Sequence, residues 1–205
     1  MLNKKKLGAA IASLSAVAVI GAGSTFAFFT SQDKAANAFT LGNLDIDITE
    51  DSTSEKATVA DDKKSITYAD VLPGDVLDKE PVITSNGSAD AWVRVDLALD
   101  SSDGLTAEQL AEIKDGLVAE MTATGNWAVK DGEDYIYYTS KMTEGDKAAL
   151  FTEVKIPKTW GNDTAGKNFT IAISAQAVQA DNNGDTYTEA DWSEDVADFT
   201  EEVTR

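Results

Sequence analysis

The sequence predicts a mainly β protein, an antiparallel β-sandwich with one inserted helix. Two long stretches, at 91–99 and 169–178, alternate apolar and polar residues with a period of two, as strands with one buried face do. Turn-forming residues separate several shorter apolar runs, which is typical of sandwiches. One stretch at 105–121 has helical spacing instead, so a helix is expected between strands.

The strand predicted over 91–99 has two unlike faces. Its inward face carries four aliphatic residues, and its outward face carries Trp92, Arg94 and Asp96. The strand over 169–178 likewise has a continuous apolar face. These two faces predict most of the core of one sheet, from Val93, Val95, Leu97, Leu99, Phe169, Ile171, Ile173, Ala175 and Ala177.

Shorter strands are predicted around turn signals. Gly42 shifts the alternating pattern, so a strand with a bulge or turn is expected over 39–48. Pro73 and Gly74 predict a type II turn, and a strand over 76–85 follows, with Pro81 indicating a sheet edge or a bulge. Further strands are expected near Thr58 and over 66–68, 127–130, 135–139 and 149–156.

The helix predicted over 105–121 begins with a capping box, Thr106 and Gln109. Its apolar stripe is expected to pack over one end of the sheets, and it consists of Leu110, Ile113, Leu117 and Val118. A short C-terminal helix is also expected over 189–199, carrying Trp192, Val196 and Phe199.

The first 27 residues have the physical pattern of a secretory signal peptide. Three lysines at 4–6 precede an uncharged apolar run at 7–22, and small residues, Thr25 and Ala27, occupy positions −3 and −1 of a cut before Phe28. An uncleaved N-terminal anchor is the alternative. The sequence therefore predicts a signal peptide at 1–27, an N-terminal segment at 28–40 and a folded domain at 41–205.

The charge of the chain restricts its partners. Of the 205 residues, 17 are basic and 36 acidic, a net charge of −19. Removal of residues 1–27 removes three lysines, which leaves 14 basic and 36 acidic residues and a net charge of −22. Such a negative electrostatic field repels nucleic acid and anionic lipid, so no nucleic-acid partner is expected. Contact with a membrane is expected only before the signal peptide is cleaved.

The chain contains no histidine and no cysteine. The commonest zinc ligands, the commonest general base and thiol chemistry are therefore missing. No catalytic residues, no metal site and no cofactor are predicted.

Two patterns leave a binding module open as an alternative function. Residues 181–185 have the oxygen spacing of a calcium-loop start, but Thr186 and Trp192 stand where a glycine and a bidentate glutamate are needed. A turn rich in polar residues explains the same pattern. A glycan platform is the second alternative, although such aromatics more often pack; it would use Trp92, Trp127, Tyr135, Tyr137 and Tyr138.

The N-terminal half resembles the TasA/camelysin family. The resemblance rests on Lys4-Lys5-Lys6, on Gly21 to Thr30 around the cut, and on Phe39-Thr40-Leu41-Gly42-Asn43-Leu44-Asp45-Ile46. Leu72-Pro73-Gly74-Asp75 and Asn86-Gly87-Ser88 also match the Pro-Gly-Asp turn and Asn-Gly strand end of that family. The resemblance covers about residues 4–99.

This resemblance implies a jelly-roll sandwich, cleavage by a SipW-type signal peptidase, and a secreted subunit of extracellular matrix fibres. It further implies donor-strand exchange, in which the N-terminus of one subunit completes a sheet of the next. The expected partners are other copies of the chain, the peptidase and matrix accessory proteins, in the extracellular matrix or at the cell surface. Members of the family have also been classed as metalloproteases, which the missing ligands make the weakest hypothesis.

The N-terminal segment suits assembly by its composition. It is polar between residues 30 and 37, and apolar residues stand at both ends, Phe28 and Phe29 before and Phe39 and Leu41 after. We therefore expect Phe28, Phe29, Phe39 and Leu41 to anchor the segment in a neighbouring subunit. The alternatives are a flexible leader and an ordinary first strand of the subunit's own sheet.

Overall fold

The computed structural model describes residues 26–28, 36–38, 42–102, 104–193 and 197–200, with side chains for 42–102 and 104–193. The chain divides into two compact units, Met1–Leu41 and Gly42–Arg205. In the first unit, strands β1 (Phe26–Phe28) and β2 (Ala36–Ala38) pair antiparallel in a sheet of their own. The sequence did not predict this pairing.

The second unit contains twelve of the described strands, one α-helix and a single 3₁₀ turn, Asn162–Thr164. The strands and the α-helix are β3 (Ile46–Asp51), β4 (Ala57–Val59), β5 (Ile66–Tyr68), β6 (Val76–Asp78), β7 (Glu80–Ser85), β8 (Ala91–Asp100), α1 (Ala107–Ala123), β9 (Trp127–Val129), β10 (Ile136–Tyr138), β11 (Lys147–Ala149), β12 (Glu153–Lys155), β13 (Thr170–Gln179) and β14 (Ala197–Thr200). The mainly β class with one inserted helix is therefore confirmed.

Two sheets enclose the core. The larger has the order β14-β13-β8-β10-β9, the smaller the order β11-β7-β3, and β6 with β12 and β4 with β5 form separate antiparallel pairs. One core cluster takes residues from both sheets and from α1, as in a β-sandwich. Strands β8 and β13 pair over ten residues each, and their inward residues Val95, Ile173 and Ala175 are fully buried.

Helix α1 forms as its sequence predicts. Thr106 accepts a hydrogen bond from the backbone of Gln109, and the Gln109 side chain accepts one from the backbone of Thr106, so the capping box is complete. The helix buries Ile113, Leu117 and Met121 against the core. No helix among the described residues is long and apolar enough to cross a membrane.

Two predicted strands are each divided into two. The stretch 76–85 forms β6 and β7, which pair with different partners, and 149–156 is divided between β11 and β12. Pro81 lies in β7, the central strand of its sheet, so the expected edge position is wrong. Leu150 N–H donates to the Pro81 carbonyl at 3.0 Å, but Pro81 has no N–H to return the bond, and the pairing of β7 with β11 ends at Val82 and Ala149.

The predicted C-terminal helix over 189–199 is wrong. Ala197–Thr200 is strand β14, which pairs with β13 from Ala177↔Ala197 to Ser174↔Thr200. Residues 187–189 form a turn, and Trp192 packs beside Trp92, Val178 and Ala180. The backbone groups at the edge of β13 offered ladder hydrogen bonds that outweighed a weak helical pattern.

Candidate assembly surface

The predicted cleavage site falls inside a paired strand. Ala27 lies opposite Asn37 and Phe28 opposite Ala36, so the bond between Ala27 and Phe28 is in the middle of β1. Cutting it would leave β2 with one residue of its three-residue partner. The other residues predicted for cleavage and assembly, Thr25, Phe29, Phe39 and Leu41, lie outside the described residues.

The domain begins at a clamp formed by the two motifs Gly42–Asp45 and Asn86–Ser88. The backbone N–H groups of Asn86 and Gly87 both donate to the Asp45 carbonyl, at 2.8 and 3.0 Å. Ala89 N–H donates to the Asn43 carbonyl at 3.2 Å. Motifs more than 40 residues apart therefore hold the first described residues of the domain.

Side chains complete this clamp. Asn43 N–H donates to Ser88 Oγ at 3.2 Å, and Ser88 Oγ donates to Asn43 Oδ1 at 3.1 Å. Gly87 passes so close to the first motif that a Cβ there would lie 2.5 Å from the Asn43 carbonyl oxygen and 2.6 Å from the Asp45 nitrogen. Only glycine fits at this position, because both neighbouring atoms belong to the backbone of the Gly42–Asp45 motif.

The Pro-Gly-Asp motif forms the predicted type II turn. Gly74 has φ +89°, and Asp75 N–H donates to the Leu72 carbonyl at 3.0 Å. The Asp75 carboxylate accepts hydrogen bonds from Leu72 N–H and from Lys56 Nζ, and the Lys56 bond is the first cause of its lowered pKa. The Asp75 carboxylate thus bonds both within the turn and to Lys56, the residue that precedes β4.

Strand β9 is one edge of the larger sheet, β11 is one edge of the smaller sheet, and Trp127 connects them. Its indole Nε1 donates to the Ala149 carbonyl at 2.8 Å, while its ring packs edge-on against Tyr138 at 5.1 Å. Thr139 N–H bonds to the Asn126 carbonyl. By antiparallel alternation, the backbone groups of Trp127 and Val129 then point away from β10. Val129 is also 53% exposed, so β9 is an accessible edge.

The opposite edge of the smaller sheet, β3, is covered by lysines. Lys64 Nζ donates to the Ile48 carbonyl at 2.7 Å, and the Lys63 carbonyl accepts from Glu50 N–H at 2.7 Å. Lys63 also pairs with Asp51 at 2.6 Å, and Lys64 pairs with Asp47. Lysines on an edge strand hinder pairing with another chain, so β3 is a poorer acceptor than β9.

A cleft lies beside β11, at the C-terminal end of α1. It is lined by residues including Glu120, Asn126 and Lys147, and its volume is about 150 Å³. Small-molecule sites are commonly about 300–1,000 Å³. This cleft is therefore a feature of the sheet edge rather than a substrate pocket.

The aromatics considered for a glycan platform do not share one exposed face. Trp92, Trp127 and Tyr137 are all at most 3% exposed, and Tyr138 packs against the core. Tyr135 stacks on Arg94, whose guanidinium lies 3.8 Å from the Tyr135 ring and 4.4 Å from the Trp192 ring. These aromatics thus pack the sheet and hold the chain around Trp192 against it.

The acidic loop at 181–185 forms a closed turn. Asn183 Oδ1, one of the candidate calcium ligands, accepts a hydrogen bond from Asp191 N–H at 2.7 Å. Its Nδ2 donates to the Asp191 carbonyl at 3.3 Å, and Asp185 N–H donates to Glu189. The polar residues therefore serve the turn itself.

Sequence reasoning missed a buried ion pair. Glu50 and Lys79 are 1% and 5% exposed, and Lys79 Nζ contacts Glu50 Oε1. Glu50 lies beyond the strand predicted over 39–48, although it has the same parity as Ile46 and Ile48. Extending that period of two by one more residue would have placed Glu50 on the core face.

Tyr68 lies beside this pair and gives a pH-dependent prediction. Its hydroxyl donates to the Asp78 carbonyl, and burial is the main cause that raises its pKa from 10.0 to about 12. The folded state therefore holds this proton more tightly than the unfolded state. The resulting stabilisation is complete below pH 10 and is lost as the pH rises towards 12.

We expect urea denaturation to give a free energy of unfolding that falls between pH 10 and 12. The Tyr68→Phe variant should lose less over this interval, because it has no phenol to ionise at that position. An equal loss in the variant and the parent would show that Tyr68 does not contribute.

The described residues do not offer a metal centre. Among them, no group of three acidic side chains stands close enough to hold an ion, and the whole chain lacks histidine and cysteine. A zinc peptidase site normally uses histidine with a carboxylate. The donor set of the described residues therefore does not fit such a site.

The fold and its clamp define a mainly β protein in which a separate N-terminal unit leads into a sandwich. A family profile described as camelysin metallo-endopeptidase matches residues 2–103, about half of the chain. The chain belongs to the TasA/camelysin family. The match includes both clamp motifs and the Pro-Gly-Asp turn, and it ends before α1. A comparison with curated proteins gives no match.

Proposed function

We propose that this chain is a secreted structural subunit of extracellular matrix fibres, polymerising by donor-strand exchange after its signal peptide is removed. The observation that carries the proposal is the position of the predicted cut, inside β1 and opposite β2. A SipW-type signal peptidase is the enzyme expected to make this cut. Membership of the TasA/camelysin family supports the proposal.

Cleavage would convert a paired strand into a donor. Once residues 1–27 are gone, Asn37 and Ala38 lose the partners Ala27 and Phe26, and their backbone groups need new ones. Adding the segment to a sheet of a second copy would supply them, with backbone hydrogen bonds for affinity and apolar side chains for register. In this scheme the uncleaved precursor cannot polymerise.

The accessible edge β9 is the acceptor we favour. Trp127 and Val129 direct backbone groups outwards there, whereas β3 is covered by Lys63 and Lys64. An extended stretch at 28–41 has 14 residues and reaches roughly 46–50 Å, enough to cross into a neighbour. Burying each phenylalanine anchor contributes on the order of 1.5–3 kcal/mol.

The charge of the mature chain governs the conditions for assembly. With a net charge of −22, subunits repel one another at low ionic strength. Electron microscopy of the purified mature protein should therefore show filaments that increase with salt or divalent cations. Monomers at all protein and salt concentrations would refute the proposal and favour a monomeric binding module.

Processing gives a separate prediction. N-terminal sequencing of secreted protein should begin at Phe28, because Thr25 and Ala27 follow an uninterrupted apolar run. Secreted material that begins at Met1 or Leu2 would contradict the assignment of a signal peptide.

The proposed role is not enzymatic, and this too can be measured. Rigorously purified protein should hydrolyse no casein and bind no stoichiometric zinc, because its donor set lacks histidine and cysteine. Proteolysis that copurifies with the protein and is abolished by a chelator would contradict this, and would favour the activity in the family's description.

A further inference from the structure

Two charged residues occupy core-facing positions, Glu50 in β3 and Lys79 at the junction between β6 and β7. Glu50 continues the inward row of Ile46 and Ile48, and Lys79 continues the inward row of Leu77 into β7. The Glu50 side chain is 0% exposed and the Lys79 side chain 6% exposed. Water is therefore excluded from the place where the ammonium and the carboxylate meet.

As an ion pair, this arrangement leaves the Glu50 carboxylate poorly compensated. Lys79 Nζ contacts Glu50 Oε1, while Oε2 is buried and has no hydrogen-bond partner. Buried ions lose their hydration, and the mutual attraction repays this only when the remaining lone pairs are also satisfied. An unpartnered carboxylate oxygen at a core position suggests that the pair does not remain ionic.

We propose that Lys79 and Glu50 condense into an intramolecular amide that crosslinks β3 to the junction between β6 and β7. A proton passes from Nζ to Oε1, and the nitrogen lone pair attacks Cδ. Oε1 then takes a second proton from Nζ, the Cδ–Oε1 bond breaks, and one water molecule leaves. The ammonium and carboxylate become one neutral amide and one water, so atoms and charge balance without a further reactant.

The folded domain supplies two conditions that favour this condensation and that are missing in water, a fixed approach of the two groups and dry surroundings. Holding an amine against a carboxyl group replaces a bimolecular encounter with an intramolecular one, which is worth a large effective concentration. The dry surroundings favour the neutral product over two ions, and the expelled water reaches bulk solvent. Oε2 remains as a neutral carbonyl, which is less costly to bury than a carboxylate oxygen.

A second lysine pair in the same sheet serves as a matched control. Lys64 Nζ contacts Asp47 Oδ1 from β3, but these side chains are 32% and 44% exposed. Water solvates both ions there, so the drive towards a neutral product is absent. We expect an amide at Lys79 and none at Lys64.

Mass spectrometry of the purified full-length mature protein tests the crosslink. With the N-terminus known from sequencing, the intact mass should be lower than the sequence mass by one water. Trypsin should not cut after Lys79, and the fragments 35–56 and 65–94 should be recovered joined through Glu50 and Lys79. Fragmentation of the joined pair separates this crosslink from dehydration at other residues.

Two variants sharpen the result. Lys79→Arg keeps the charge but has no nucleophilic amine, so it should have the mass of its full sequence and release fragment 35–56 alone. Lys64→Arg should keep the joined fragments. The proposal is overturned if the parent protein has its full sequence mass and is cut after Lys79. It does not depend on the proposed fibre function, and its outcome leaves that function unaffected.

Discussion

Deleting residues 28–38 from the mature protein should abolish polymerisation while the domain stays folded. Among the described residues, the core cluster takes its buried residues from Ile46 onwards, and the deleted segment belongs to the other compact unit of the chain, Met1–Leu41. The proposed donor strand, in contrast, loses the anchors Phe28 and Phe29 and the backbone of β2. Light scattering and electron microscopy should show monomers at salt concentrations where the mature protein forms filaments.

Circular dichroism supplies the control for folding, and Leu72→Ser supplies the control for apolar surface. Leu72 is 62% exposed and lies outside the proposed donor and acceptor strands, so its substitution should leave polymerisation unchanged. If the deletion variant polymerises as well as the mature protein, the segment is a leader and donor-strand exchange is wrong for this chain.

Gly87→Ala should cost roughly 2–4 kcal/mol of the free energy of unfolding, near the upper limit for overpacking. The added methyl group would lie 2.5 Å from the Asn43 carbonyl oxygen and 2.6 Å from the Asp45 nitrogen. Neither backbone atom can rotate away, so the clamp must open. Urea denaturation monitored by tryptophan fluorescence measures the loss.

Gly116→Ala is the matched control, because it adds the same methyl group in a different setting. Gly116 lies within α1, and a Cβ there would meet no atom within 4 Å. The variant should gain about 1 kcal/mol from helix propensity. A Gly87→Ala variant as stable as the parent protein would mean that the two motifs do not pack as described.

Local sequence patterns predicted the elements in which one regular face is buried. Strands β8 and β13 alternate over ten residues, and α1 has both a complete capping box and an apolar stripe. In each of them, local propensity and tertiary burial favour the same structure. Their existence, type and inward residues could therefore be derived from the sequence.

Elements that depend on a distant partner could not be derived. Residues 76–85 have the pattern of one strand, but β6 pairs with β12 and β7 with β3 and β11. The C-terminal stretch has a weak helical pattern, yet it pairs with the edge of β13 as β14. A single sequence does not state which edge is vacant.

The candidate site was also predicted only in part, because its motifs could be found in the sequence but their contacts could not. The motifs around Gly42 and Gly87 were recognised separately, but their mutual packing depends on contacts between residues more than 40 positions apart. The pair of Glu50 and Lys79 was hidden because charged residues are read as exposed. The only signal of their burial in the sequence is that each has the same parity as its buried neighbours.

The most direct test of the central claim is a density map of the filaments at a resolution that traces the chain. The account predicts that residues 28–41 of one subunit run antiparallel or parallel along an edge strand of the next, with Phe28, Phe29, Phe39 and Leu41 buried between the two copies. Filaments in which this segment pairs only within its own subunit, or in which subunits touch through other surfaces alone, would contradict it.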